Sequence, residues 1–128
     1  MKKKILIIDD EPDVITYLRT FLKDQGYNVC CAEDVESGLQ MIPAEKPDVI
    51  CLDIMMPEKS GISFYDQIRK HIDYCHIPVV IISGLNEDSM DSVLGALEHT
   101  CQPSRPYRFV SKPVDLEQLL STIREALG

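Results

Sequence analysis

A chain of 128 residues fits one domain, taken as residues 1–128, and is long enough to bury a core without disulfide or metal staples. With 45% hydrophobic and 27% charged residues it has the composition of a globular domain, not of a disordered or membrane-embedded one. The formal net charge of −8 and the pI near 4.7 argue against direct binding of nucleic acid, whose phosphates repel an acidic surface, and leave a divalent cation or a basic partner surface as the better match.

The basic start Met1-Lys2-Lys3-Lys4 precedes only Ile5 to Ile8 before Asp9 and Asp10, too short an apolar run for a signal peptide. No stretch reaches the length needed to span a bilayer, so a cytoplasmic protein is expected. Lys4 to Ile8 reads as a first strand, and the acids and proline of Asp9-Asp10-Glu11-Pro12 signal a helix start directly after it. Val14, Leu18, Phe21 and Leu22 then recur at helical spacing, with Gly26 placed to end the helix in a left-handed cap.

Tyr27 to Ala32 reads as a second strand, and Asp34 as the cap of a second helix carrying Val35, Leu39 and Ile42, bracketed by Pro43 and Pro47. Val49 to Asp53 is an apolar run ending abruptly in a carboxylate, with Pro57 blocking simple continuation. Ser60-Gly61 opens a third helix with Tyr65, Ile68 and Ile72 on one face. Val79 to Ile82 is apolar on both faces and belongs in the middle of a sheet. After Ser83-Gly84, Met90, Val93, Leu94 and Leu97 have the spacing of a fourth helix. Residues 99–106 read as loop, Tyr107 to Val110 as a fifth strand, and Asp115 as the cap of a last helix with Leu116, Leu119, Leu120, Ile123 and Leu127 as its stripe.

Five alternations of strand and helix predict a doubly wound, flavodoxin-like (βα)5 domain, a five-stranded parallel sheet in the order 2-1-3-4-5 with helices on both faces. Ligands of such a sheet sit beyond the carboxyl ends of the strands, where Asp9, Asp10, Asp53, Ser83 and Lys112 all fall. Two unit charges about 4 Å apart interact by roughly 4 kcal/mol at an effective dielectric of about 20. Three unpaired carboxylates would thus repel by an amount comparable with the stability of a domain, about 5–15 kcal/mol. Lys112 offers one counter-charge and a hard divalent cation two, and Mg²⁺, which keeps several waters, suits so sparse a set of oxygens.

The ordered set Ile7-Ile8-Asp9-Asp10-Glu11-Pro12, Leu52-Asp53-Ile54-Met55-Met56-Pro57 with Gly61, Ile82-Ser83-Gly84 and Lys112-Pro113 resembles the response-regulator receiver domains of two-component and phosphorelay signalling over nearly the whole chain. The resemblance implies that Asp53 is a phosphoacceptor, with Asp10 and the main-chain carbonyl of Met55 binding Mg²⁺ and Asp9 acting through water. It implies that Ser83 and Lys112 contact the phosphoryl group, that Ser83 and Phe109 switch the face of the fourth helix, fifth strand and fifth helix, and that Lys112-Pro113 is cis. The implied partners are a sensor histidine kinase or histidine phosphotransfer protein as donor, a downstream protein or fused output domain as target, and a second copy through the switching face. Nucleic acid and membrane are not among them.

Each residue alone has a plainer reading: Asp9 and Asp10 as favourable charges at a helix start, Ser83 as a turn or cap, Phe109 as core, Lys112-Pro113 as an ordinary trans dipeptide. The connection before the fifth strand, around Glu98 to Tyr107, is longer than in most receivers, where a Gly-Ala pair leads into that strand, and Tyr107 rivals Phe109 as the aromatic switch. Met55 and Leu85 are apolar where the family tunes hydrolysis, which predicts a long-lived phosphoryl state. A Mg²⁺-dependent aspartyl phosphatase of the haloacid-dehalogenase type needs a second aspartate where Met55 stands. A flavin-binding protein of the same fold needs a Ser/Thr/Gly-rich first loop where this one is acidic. His71, Cys75, His76, His99 and Cys101 match no strong zinc spacing, and an odd count of five cysteines, two of them adjacent, suits reduced thiols.

Overall fold

The apolar runs form five strands: β1 Lys4–Ile8, β2 Asn28–Ala32, β3 Val49–Asp53, β4 Val79–Ser83 and β5 Arg108–Ser111. The structure, a computed structural model, describes residues 2–53, 61–84 and 108–128. All strand pairs are parallel and the order is β2-β1-β3-β4-β5, as the alternation of strand and helix predicts. The predicted helix around Met90 to Leu97 lies outside the described residues, among which the helices are α1 Pro12–Asp24, α2 Val35–Glu45, α3 Gly61–Lys70 and α4 Leu116–Leu127.

Side chains alternate across a pleated strand, and here they divide the core in two. On one face Leu6, Ile8, Ile50, Leu52, Val79 and Ile81 pack with Val35, Ile42, Phe64, Tyr65 and Ile68 from α2 and α3. On the other, Ile5, Ile7, Val49, Cys51, Val80, Ile82 and Val110 pack with Ile15, Leu18 and Leu22 of α1 and Leu119 and Ile123 of α4. The three central strands are therefore apolar on both sides, and each such side chain removed from water contributes about 1.5–3 kcal/mol.

The helix ends follow local chemistry. Gly26 has φ +95°, its N–H donates to the Lys23 carbonyl and the Tyr27 N–H to the Leu22 carbonyl, the two bonds of a Schellman cap closing α1. Asp34 caps α2 by accepting from the Ser37 N–H at 2.7 Å, and Asp115 caps α4 by accepting from the Glu117 and Gln118 N–H groups. Pro43 departs from its expected role as a bracket: α2 runs through it to Glu45 and ends on Lys46 in the left-handed region, φ 51°. A proline near a helix end sacrifices one late hydrogen bond, less than in the middle of a helix.

Ile72 departs as well. The helix ends at Lys70, and Ile72 is 81% exposed in the turn that follows, while Phe64 joins Tyr65 in the core. Among the cysteines, Cys51 is buried and Cys30 and Cys31 half-buried, all free thiols. Burial pushes Cys30 up to about 11 and Cys51 up to about 12, so they behave as small apolar groups. Cys75 corrects the reduced-thiol expectation, because it is disulfide-bonded, which also removes it as a zinc ligand.

Candidate functional site

The strand register brings the acids together. Ile8 pairs with Leu52, so Asp9 and Asp53, each one residue further on, stand side by side at the carboxyl ends of neighbouring strands. Both continue the alternation that faces α1 and α4, shared by Ile5 and Ile7 in β1 and by Val49 and Cys51 in β3. The Asp9 N–H still donates to the Ala32 carbonyl at 3.1 Å, so its backbone is held by the sheet. Asp10 begins the turn into α1. One carboxylate oxygen from each of Asp9, Asp10, Glu11 and Asp53 lies within 4.8 Å of the others.

The counter-charge comes from the far end of the chain. The Lys112 N–H donates to the Ser83 carbonyl at 2.9 Å, extending the β4–β5 pairing by one residue, and the Lys112-Pro113 bond is cis. Its Nζ donates to Glu11 Oε1 at 3.1 Å and to Asp53 Oδ2 at 3.2 Å, and stands 3.5 Å from Asp9 Oδ2. Burial disfavours its charge, yet the hydrogen bond to Glu11 and the charges of Asp53 and Asp9 outweigh that and hold the ammonium above its ordinary value.

One positive charge among four carboxylates leaves a deficit, and the deficit is visible at Asp9. Its Oδ1 accepts from the Glu11 N–H at 2.9 Å, but Oδ2 is buried with no hydrogen bond, Lys112 being at ion-pair distance only. Burial raises the Asp9 carboxyl to about 6 and the charge of Asp53 adds to the rise, against the lowering by the Glu11 N–H and Lys112. An all-oxygen, anionic donor set with one buried oxygen lacking a hydrogen bond fits a hard divalent cation.

Of the residues singled out in the sequence, Asp9, Asp10, Asp53 and Lys112 converge. Ser83 ends β4 beside them, fully buried, its carbonyl held by Lys112. Phe109 is half-buried in β5 and packs against the cluster that contains Ile81 and Leu52. Met55, Leu85 and the segment 98–107 lie outside the described residues. Glu11 is the addition. In sequence it serves only to mark a helix start, whereas in the fold it is the N-cap residue of α1 without a side-chain cap bond, its carboxylate spent on Lys112. The third acid in an Asp-Asp-Glu run was the available signal.

A family model, that of the response regulator receiver domain, matches residues 5–124. The chain belongs to this family. It is 36% identical over 125 residues to protein PilH of Pseudomonas aeruginosa, covering 98% of each chain. It is 39% identical over 95 residues to the alkaline phosphatase synthesis transcriptional regulatory protein PhoP of Bacillus subtilis, where the match spans 74% of this chain but 38% of PhoP. The chemotaxis protein CheY4 of Vibrio cholerae superposes with a TM-score of 0.86 at 24% identity, over 98% of this chain and 99% of that one, which shows the shared fold. As a receiver domain it is a module of two-component signalling, a class of switches rather than of enzymes. Among the described residues no helix is long and apolar enough to cross a membrane.

Proposed function

We propose that this receiver domain is a phosphorylation-dependent switch that accepts a phosphoryl group on Asp53 from a phosphohistidine on a sensor histidine kinase or histidine phosphotransfer protein. The observation that carries the reading is the Lys112 ammonium bonded to the buried Asp53 inside a group of four carboxylates. Asp10, Asp53, the main-chain carbonyl of Met55 and, through water, Asp9 would hold Mg²⁺, which when bound neutralises charge on the transferring group.

In the transfer an Asp53 oxygen forms a bond to phosphorus as the bond from phosphorus to the donor imidazole nitrogen breaks, the bonding pair passing to that nitrogen; with the other ring nitrogen protonated the donor leaves as neutral imidazole, and the product is an acyl phosphate on Asp53. Lys112 stays close enough to follow charge from the carboxylate to the phosphoryl oxygens. Ser83, buried at the end of the adjacent strand, meets the phosphoryl group, and Phe109 turns inward with it. The face of the predicted fourth helix, β5 and α4 is thereby biased to a second arrangement, because the phosphoryl contacts exist in only one of the two states. That face serves a downstream protein, a fused output domain or a second copy of the chain in the cytoplasm.

Incubation with acetyl phosphate and Mg²⁺ followed by intact-mass measurement tests the reading. The parent gains one phosphate and Asp53→Asn gains none. An adduct of equal yield on the variant would place the acceptor elsewhere.

A further inference from the structure

The Lys112 ammonium has three N–H groups, and three carboxylates surround it, but they are not equivalent. Asp9 and Asp53 are buried, whereas the Glu11 side chain is 59% exposed on the solvent side and makes the shortest of the three contacts, 3.1 Å. Glu11 is also fixed from behind: its N–H is bound to Asp9 and its carbonyl accepts the Ile15 N–H that starts α1. The carboxylate therefore reaches Lys112 from a rigid helix end.

We propose that Glu11 is a positioning residue that shares Lys112 with the acid pocket, drawing the ammonium toward the solvent side of Asp9 and Asp53 and so weakening its competition with a divalent cation for those two carboxylates. This rests on the reading of the pocket as a Mg²⁺ site. Without Glu11 the ammonium has only Asp9 and Asp53 to bond among these three acids and settles onto them, and a lysine and a cation then compete for the same oxygens. Glu11 relieves that competition by giving the lysine a second partner. It also adds negative charge near the pocket, an effect that acts through space and needs no lysine.

The two effects separate in a double-mutant cycle read by Mg²⁺ titration of the full chain, followed by amide shifts in ¹H–¹⁵N spectra that also verify folding. Glu11→Gln should raise the Mg²⁺ dissociation constant about three- to tenfold, a size set by a half-exposed charge beside a partly buried one. In a Lys112→Ala background the same substitution should have at most about a third of that effect, because no ammonium remains to be partitioned. Asp13→Asn, which removes a charge from the first turn of α1, should change the constant less than Glu11→Gln does. An unchanged constant in Glu11→Gln overturns the proposal, and so does an equal effect with and without Lys112, which would make Glu11 a ligand or a through-space charge. A parent protein whose Asp10 and Asp53 amides do not respond to millimolar Mg²⁺ would instead sink the metal reading beneath it.

Discussion

Replacing Asp9 by Asn should make the cation-free protein more stable near neutral pH, although it removes a residue of the site. Asp9 is 1% exposed, and its carboxyl lies at about 6 in the fold against 3.8 as a free side chain. The folded state thus binds this proton more tightly than the unfolded chain does. The stabilisation from that proton is fully present below about pH 4 and is lost as the pH rises through about 6, so at neutral pH the charged carboxylate weakens the fold. At about 1.36 kcal/mol per unit, a rise of about two units corresponds to about 3 kcal/mol at most, and asparagine, neutral and nearly isosteric, recovers much of it. Urea denaturation should show Asp9→Asn about 2–3 kcal/mol more stable near pH 7.5 and equal to the parent below about pH 4. Saturating Mg²⁺ near pH 7.5 should narrow the gap by stabilising the parent more than the variant. A variant no more stable than the parent at the higher pH, or a gain that persists unchanged in acid, would refute the argument that Asp9 is an under-compensated buried charge.

Two further substitutions probe packing and lifetime. Gly38→Val should cost about 1–3 kcal/mol by overpacking, since even a bare Cβ there sits 2.7 Å from Ile8 Cδ1 and 3.2 Å from Phe64 Cε2; an unaltered urea midpoint would show that α2 shifts freely. Met55→Asn should shorten the life of the phosphorylated form, because an amide can orient an attacking water and a thioether cannot, and decay at the parent's rate, followed by mass measurement, would count against it.

The sheet was legible because its cause is local and strong: four apolar runs of four residues and a fifth shorter strand, each followed by a helix start, admit few parallel arrangements. The pocket was legible for a related reason, since Asp9, Asp10, Asp53 and Lys112 all sit where strands end and the register does the rest. What escaped depends on contacts made only after the layers dock. Gly38 looks like a weak point in a helix until Ile8 and Phe64 are packed against it. Ile72 continues the spacing of Tyr65 and Ile68, but the chain turns at His71, whose ring stacks on Tyr74 at 4.0 Å, and leaves Ile72 in solvent. Glu11 had a sufficient explanation as a helix-start acid, and nothing local suggested that a lysine 101 residues away would claim it. Lys112-Pro113 was the reverse: its local default is trans, and only the likeness to a family pointed to the cis bond.

Lys112 ties the end of β4 through its backbone to Asp9, Glu11 and Asp53 through its side chain, and it is the last of these residues to be synthesised. A growing chain therefore presents its acids before it owns the ammonium that holds them together. Without β5 laid against β4 the acids at the strand ends lack that ammonium, and an added divalent cation supplies positive charge in its place. Detachment of β5 from β4 should accordingly cost less in magnesium than in its absence, since the cation supplies part of the charge that the lysine takes away.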